Sequence, residues 1–150
     1  MRLSVRLCLI VTGALASLGM AAETKVQMKN LPAAVQKAVQ EQTAGAEIKG
    51  LSKETEKGKT VYEVETMMNG KSRDVTFDAK GAVIEIEEQT ALDSIPAAAK
   101  AAIEKKTAGG KIKIVETVTR GSVVVYEAAY SKAGRSHEFQ VRADGTETKD

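Results

Sequence analysis

Apolar residues change their spacing along this chain in a fixed order, and they do so twice. Leu31, Val35 and Val39 fall at i, i+4 and i+8 with Ala38 beside them, while Gln36, Lys37, Gln40 and Glu41 take the other side. That spacing predicts an amphipathic helix of about three to four turns, ended by Gly45. From Ala46 the period becomes two. EIKGL leads into a strand, Glu56 to Lys59 form a turn, and TVYEVETMM and SRDVTFD read as strands joined through the hairpin turn Asn69 to Lys71. AVIEIEE follows the turn AKG as a fourth strand. Tyr62, Val64, Val75 and Phe77 share one face, and Glu63, Glu65, Asp74 and Thr76 share the other. An antiparallel sheet with one wet face, and the helix on its dry face, satisfies that pattern.

The second round repeats the first. Ile95, Ala99 and Ile103 carry the helical stripe, Gly109 and Gly110 stop it, and strands follow over Lys111 to Thr119, Ser122 to Ser131 and Arg135 to Arg142. A fourth strand is reduced to Thr146 to Thr148. A shift of 64 residues aligns Leu31–Gly81 with Ile95–Gly145 without a gap. LPAAVQKAVQEQTAG answers to IPAAAKAAIEKKTAG, VYE to VYE and AKG to ADG; about a third of the aligned positions are identical, which means duplication. The expected fold is α+β: two tandem repeats, each one helix packed on a four-stranded antiparallel sheet, with the last strand of the second shortened. Asn30 is expected to cap the first helix and Asp93 or Ser94 the second, with Pro32 and Pro96 in the first turns.

One strand breaks the parallel. SVVVYEAAY is apolar on both faces, with Val123, Val125 and Ala129 where the first copy has Lys59, Val61 and Glu65. Its outer face is expected to pack against the other copy; an exposed binding patch is the competing reading.

The first 22 residues differ in kind. Arg2 and Arg6 precede a continuous apolar run from Leu7 to Leu18, then small residues at Gly19, Ala21 and Ala22. This is the layout of a secretory signal peptide, and the run falls short of the about 20 apolar residues that a spanning helix needs. The expected organisation is therefore a signal peptide at 1–22, a first repeat at 23–89 and a second at 90–150. Without Arg2 and Arg6 the 22 basic residues fall to match the 20 acidic ones, which removes the charge argument for nucleic acid or an anionic membrane. Cys8, the single cysteine, leaves with the same segment, so no disulfide, thiolate metal site or cysteine nucleophile is expected afterwards.

With these elements in place, the chain resembles the PepSY-like proteins, also described as β-lactamase-inhibitor-like, which are small exported bacterial proteins. The matching residues are LPAAV (Leu31 to Val35), VYEVE (Val61 to Glu65), Gly70 and VTFDAKGAV (Val75 to Val83). The second copy matches at IPAAA (Ile95 to Ala99), VYE (Val125 to Glu127), Gly134 and FQVRADG (Phe139 to Gly145), with Arg142 where Asp78 stands in the first. The resemblance implies one helix on a four-stranded sheet per copy, a periplasmic or secreted location, and binding or inhibition of another protein. It implies no catalytic residues.

The residues themselves offer little reaction chemistry. His137 is the single histidine and shares the side of Phe139; with no cysteine beside it, a transition-metal site of the usual ligand count is not expected. Glu63 and Glu127 are a repeated carboxylate, expected to point to solvent and so to lack the dry pocket that acid–base work requires. Glu85, Glu87 and Glu88 form an acidic patch beside Glu63 and Glu65, without the D-x-D-x-D-G spacing of a calcium loop. No G-x-S-x-G occurs, and Gly109–Lys111 ends a helix instead of opening one.

The expectation is an exported, non-enzymatic binding module with no catalytic, cofactor or metal residues. Its partner is expected to be another periplasmic protein, met on a face carrying Glu63, Glu65, Glu85, Glu87 and Glu127; neither nucleic acid nor, after signal removal, membrane is expected. The alternative is a periplasmic carrier or sensor of a small ligand or metal ion, using a cleft between the copies. An acidic groove at Glu63, Glu65, Glu85 and Glu87 would favour that alternative. An exposed apolar patch at Val123, Val125 and Ala129 would favour the protein partner. A structural protein without a specific ligand is a third reading.

Overall fold

The computed structural model describes residues 23–148 apart from residue 57. The expected signal peptide, 1–22, lies outside the described residues. After a short strand β1 (Thr24–Lys25) and a 3-10 turn (Met28–Asn30) comes helix α1 (Ala33–Gln42), then β2 (Glu47–Glu56), β3 (Lys59–Met68), β4 (Lys71–Asp78) and β5 (Val83–Gln89). A second 3-10 turn (Leu92–Ser94) leads to α2 (Ala97–Thr107), β6 (Lys111–Arg120), β7 (Val123–Lys132) and β8 (Arg135–Val141). The fold is α+β: among the described residues there are two α-helices and a single antiparallel sheet of eight strands in sequence order.

That sheet corrects the expectation of two separate sheets. β5 and β6 pair, Ile86 to Gln89 running opposite Thr119 to Glu116. Left apart, both strands would present unpaired backbone donors and acceptors along an edge; pairing satisfies them and joins the copies. The second copy contributes three strands. Its expected fourth, Thr146 to Thr148, amounts to a bridge between Val141 and Glu147 and a bond from the Thr148 amide to the Gln140 carbonyl at 3.0 Å.

Both helices lie on one face. Leu31, Val35 and Val39 pack with Tyr62, Val64, Val75 and Phe77, and Ile86 borders that cluster. Ile95, Ala99 and Ile103 pack with Val115, Ala128, Tyr130, Phe139 and Val141. Ile86 stands opposite Thr119, which shares its strand face with Val115, so the two cores are neighbours on one side of the sheet. Val35, Val64, Val75, Phe77, Ile103 and Val141 are fully buried, as the alternation predicted.

Several repeated residues acquire a physical reason. Thr43 and Thr107 end their helices with the hydroxyl donating to the carbonyl four residues back, Val39 at 2.8 Å and Ile103 at 2.9 Å. Gly81 and Gly145 both have φ of +83°, and a Cβ there would stand 2.6 Å and 2.7 Å from the carbonyl oxygens of Ala34 and Ala98. The turns AKG and ADG therefore press against the first turn of each helix, where only glycine fits. Asp78 holds its turn by accepting from the amides of Lys80 and Ala82. Where Arg142 replaces Asp78, Asp144 takes over and accepts from the amide of Thr146 at 2.9 Å and from its hydroxyl.

The expected caps are displaced. Pro32 and Pro96 occupy the cap positions with no side-chain cap bond, their carbonyls accepting from Gln36 and Lys100 at 2.9 Å. Asn30, Asp93 and Ser94 instead lie in the preceding 3-10 turns, which aim Leu31 and Ile95 into the cores. Asp93 pairs with Lys100 at 2.6 Å. His137 stands opposite Tyr130 and stacks on its ring at 5.2 Å, on the Phe139 side as expected.

Candidate functional site

The face opposite the helices is built from the other half of each strand's alternation. Register partners share a face, which gives its rows directly. One row runs Ser52, Glu63, Thr76, Glu85 across β2 to β5. The next runs Gly50, Glu65, Asp74, Glu87, Val118, Val125 across β2 to β7. A third runs Gln89, Glu116, Glu127, Gln140 across β5 to β8. All five nominated acids, Glu63, Glu65, Glu85, Glu87 and Glu127, fall within these rows. Arg120 is a basic side chain placed among them, on the same side of β6 as Val118 and Glu116, and Lys25 of β1 continues the first row beside Ser52.

The expected exposure of two of these acids is corrected. Glu63 is 6% exposed and Glu127 9%, so neither points to solvent. The reason is crowding along the rows. Ser52 and Thr76 flank Glu63 and are themselves buried, and Val118 and Val125 are buried against each other with long polar side chains on every side. The same geometry settles the strand that is apolar on both faces: Val125 is buried by its Val118 pairing, Val123 remains 54% exposed, and the copies meet edge to edge, not face to face.

Three groupings arise on this face. At the second-copy side, Arg120 pairs with Glu85 and donates to the Gln140 side-chain oxygen at 3.3 Å, while the Gln140 amide donates to the Glu127 carboxylate. This links four strands through neutralised or satisfied groups. At the first-copy side, carboxylate oxygens of Glu63, Asp74 and Glu87 all lie within 4.8 Å of one another. Beyond them Glu65 leans over Gly50, where a Cβ would come 3.0 Å from its oxygen. The β-bulge between Ile48 and Gly50 places the glycine there. An open cleft of about 250 Å³ lies beside this last pair, lined by Glu23, Lys25, Lys49, Gly50, Ser52 and Glu65. It lies at the β1–β2 edge, whereas the sequence suggested a cleft between the copies.

Asp74, Ser52, Arg120 and Gln140 were not nominated from sequence. Alternation put Asp74 on the face of Glu63, which was signal enough to include it. Ser52 and Arg120 carried no such signal, because the β2 bulge and the β5–β6 pairing decide where they fall.

Residues 32–87 match the PepSY family, described as peptidase propeptide and YPEB domain. No curated protein sequence matches the chain. Among solved structures, a protein of Bacteroides eggerthii described as periplasmic is 19% identical with a TM-score of 0.64, covering 79% of this chain and 86% of that one. A DUF2874 family protein of Bacteroides uniformis is 20% identical with a TM-score of 0.61 over the same shares. A BLIP-like protein of Bacteroides fragilis is 17% identical with a TM-score of 0.55, over 77% of this chain and 82% of that one. The resemblance read from LPAAV, VYEVE and VTFDAKGAV thus holds: the first repeat carries the PepSY match, and the chain shares the fold of DUF2874 and BLIP-like proteins.

Proposed function

We propose that the chain is an exported, non-enzymatic module that binds another periplasmic protein, presenting its helix-free sheet face to a basic segment of that partner. The proposal takes 1–22 as the signal peptide and 23–89 and 90–150 as the two repeats. The observation that carries it is the collection of Glu63, Glu65, Asp74, Glu85, Glu87, Glu116 and Glu127 on one side of one sheet, across β3 to β7, with Arg120 among them. Such a face attracts a cationic surface from a distance and orients it on approach. The likeness to a BLIP-like protein, and the description of another neighbour as periplasmic, support the same reading. Among the described residues no helix is long and apolar enough to cross a membrane. Glu65, Glu85 and Glu87 are the more accessible of the nominated acids and form the contact; Glu63 and Glu127 sit beneath it.

The test is affinity capture from periplasmic extract with the tagged chain, beside Glu65→Lys and, on the exposed side of α1, Lys37→Glu. A partner that is retained by the native chain and Lys37→Glu, lost with Glu65→Lys and released by salt establishes the face. Retention that is indifferent to Glu65→Lys and to salt would overturn it.

A further inference from the structure

We propose that the outer edge of β8 takes an extended, acidic segment of another protein as an added strand, with its acids on the helix side. This surface is distinct from the helix-free face and does not depend on the partner proposed for that face. The first support is the state of the edge. Ala133 and Gly134 form a two-residue hairpin loop with φ of 50° and 75°, so Lys132 and Arg135 close the β7–β8 ladder as a bonded pair. Bonded and non-bonded pairs then alternate, which turns the amides and carbonyls of Ser136, Glu138 and Gln140 away from β7. The Gln140 carbonyl fits that direction, accepting from the Thr148 amide at 3.0 Å. Among the described residues no strand runs along Arg135 to Phe139 on that side.

Proteins usually blunt such an edge. At the opposite end of the sheet β1 straps β2 at Ser52 and Lys53, and a bulge interrupts β2 between Ile48 and Gly50. By contrast, β8 keeps unbroken register with β7 and contains no proline.

The second support shows what fits there. The 64-residue shift makes β4 the counterpart of β8, and in the first copy β5 covers the equivalent edge. Glu88 of β5 stands opposite Arg73 and pairs with it at 3.0 Å, while Ile86 stands opposite Val75. His137 and Phe139 hold those two places in β8. At the far end of β8 the same arrangement begins within the chain: Glu147 bridges to Val141 and pairs with Lys106 at 3.3 Å. In both copies, then, an extended segment at this edge brings a carboxylate to a cation on the helix side.

The third support is charge. Lys132, Arg135 and His137 share the helix side of the last hairpin, and the Lys106 ammonium lies over the Phe139 ring at 4.7 Å. An antiparallel strand reading apolar-x-acid-x-acid sets its first residue against Phe139 and its acids against His137 and Arg135. A second copy of this chain fits worse. Joining β8 to β8 about a twofold axis in one continuous sheet pairs helix-side residues only with one another. Arg135, His137, Phe139 and Val141 include no acid.

The experiment titrates the chain with a fluorescent peptide of residues 82–90 carrying Glu87→Gln and Thr90→Glu. The first change removes a like charge opposite Glu138, and the second supplies an acid opposite Arg135. Saturable binding by anisotropy is expected, with the amides of Ser136, Glu138 and Gln140 shifting by NMR and those of β2 unmoved. Arg135→Glu should weaken binding about fivefold or more, as should Glu88→Lys in the peptide. Ser136→Pro removes an outward amide at an edge position, where proline is tolerated, so binding should be lost while the melting transition is retained. No saturable binding to the native chain, or equal binding by the native chain, Arg135→Glu and Ser136→Pro, would overturn the proposal. A dimer that Ser136→Pro dissociates, without peptide binding, would overturn it too and give the edge to a second copy.

Discussion

Glu63 and Glu127 occupy the same place in two copies of one module, and their partners differ. Glu127 is answered by an amide, and through Gln140 it joins Arg120 and Glu85 in a balanced network. Glu63 shares its part of the face with Asp74 and Glu87, an oxygen of each within 4.8 Å of the others, and stands opposite the buried Ser52. The two copies share a backbone and a strand register, Ser52 opposite Glu63 matching Glu116 opposite Glu127. Duplication fixed the position of a buried carboxylate, and divergence of its neighbours chose between neutralising it and concentrating charge around it. A conserved backbone slot does not carry its chemistry with it; that is set by two or three residues on adjacent strands.

The helix sides of the copies differ less, and the difference is a swap. Val75 and Phe77 of β4 become Phe139 and Val141 of β8, so each core keeps one phenylalanine and one valine in exchanged places. Phe77 is wholly buried, whereas Phe139 is 7% exposed with the Lys106 ammonium 4.7 Å from its ring centre. Phe77→Ala should therefore produce the largest loss, about 3–5 kcal/mol by denaturant unfolding, and Phe139→Ala a smaller one. Equal losses would show that the two cores are equivalent after all. Next in size, Gly81→Ala and Gly145→Ala should each cost about 1–3 kcal/mol, because both meet a helix carbonyl and both hold a left-handed φ. A loss at one turn only would mean that the other helix can move aside.

The carboxylates should respond with opposite signs. Glu127→Gln gives up a charge-assisted bond and should lower stability by about 1–2 kcal/mol. Glu63→Gln removes one of three neighbouring like charges and should leave stability unchanged or raise it by less than about 1 kcal/mol. Unfolding of the two variants side by side checks the contrast, and a matching loss at both would erase it. The smallest effect concerns the turns. The Thr146 hydroxyl and then its amide hold the Asp144 carboxyl below its usual range, with the Arg142 charge adding to them. A depressed folded pKa gives stability that is present above the unfolded value and lost as pH falls through the folded one. An NMR titration should place Asp144 below the ordinary carboxylate range, and Thr146→Ala should move it up; no movement would detach Asp144 from the role Asp78 has in the first copy.

Much of this was legible in the residues. Period two assigned Tyr62, Val64, Val75 and Phe77 to the helix side, and Glu63, Glu65 and Asp74 to the other, since a strand alternates whatever surrounds it. Exposure was not legible. Glu63 and Thr76 were expected to be wet because a polar face of a small sheet usually is; instead Ser52, Glu63 and Thr76 lie side by side across β2 to β4 and are all buried. The candidate triad was half visible. Alternation says that Glu63, Asp74 and Glu87 share a face, but only the register says that they share a neighbourhood. Ser52 depended on the bulge at Ile48–Gly50, which leaves no clear mark in the sequence.

By itself the sequence determined the module, its duplication, the helix stripe, the strand alternation and the glycine turns. Each is a local property, set by side-chain period or backbone freedom within a few residues. Only the tertiary structure decided that β5 pairs with β6, that Glu63 and Glu127 are buried, and that Glu63 meets Asp74 and Glu87 where Glu127 is tied to Gln140 and, through it, to Arg120. Those outcomes rest on contacts between residues 10 to 35 positions apart in the chain, such as Asp74 with Glu87 and Glu85 with Arg120. Local periodicity holds no record of such distances; pairing of strand edges supplies it.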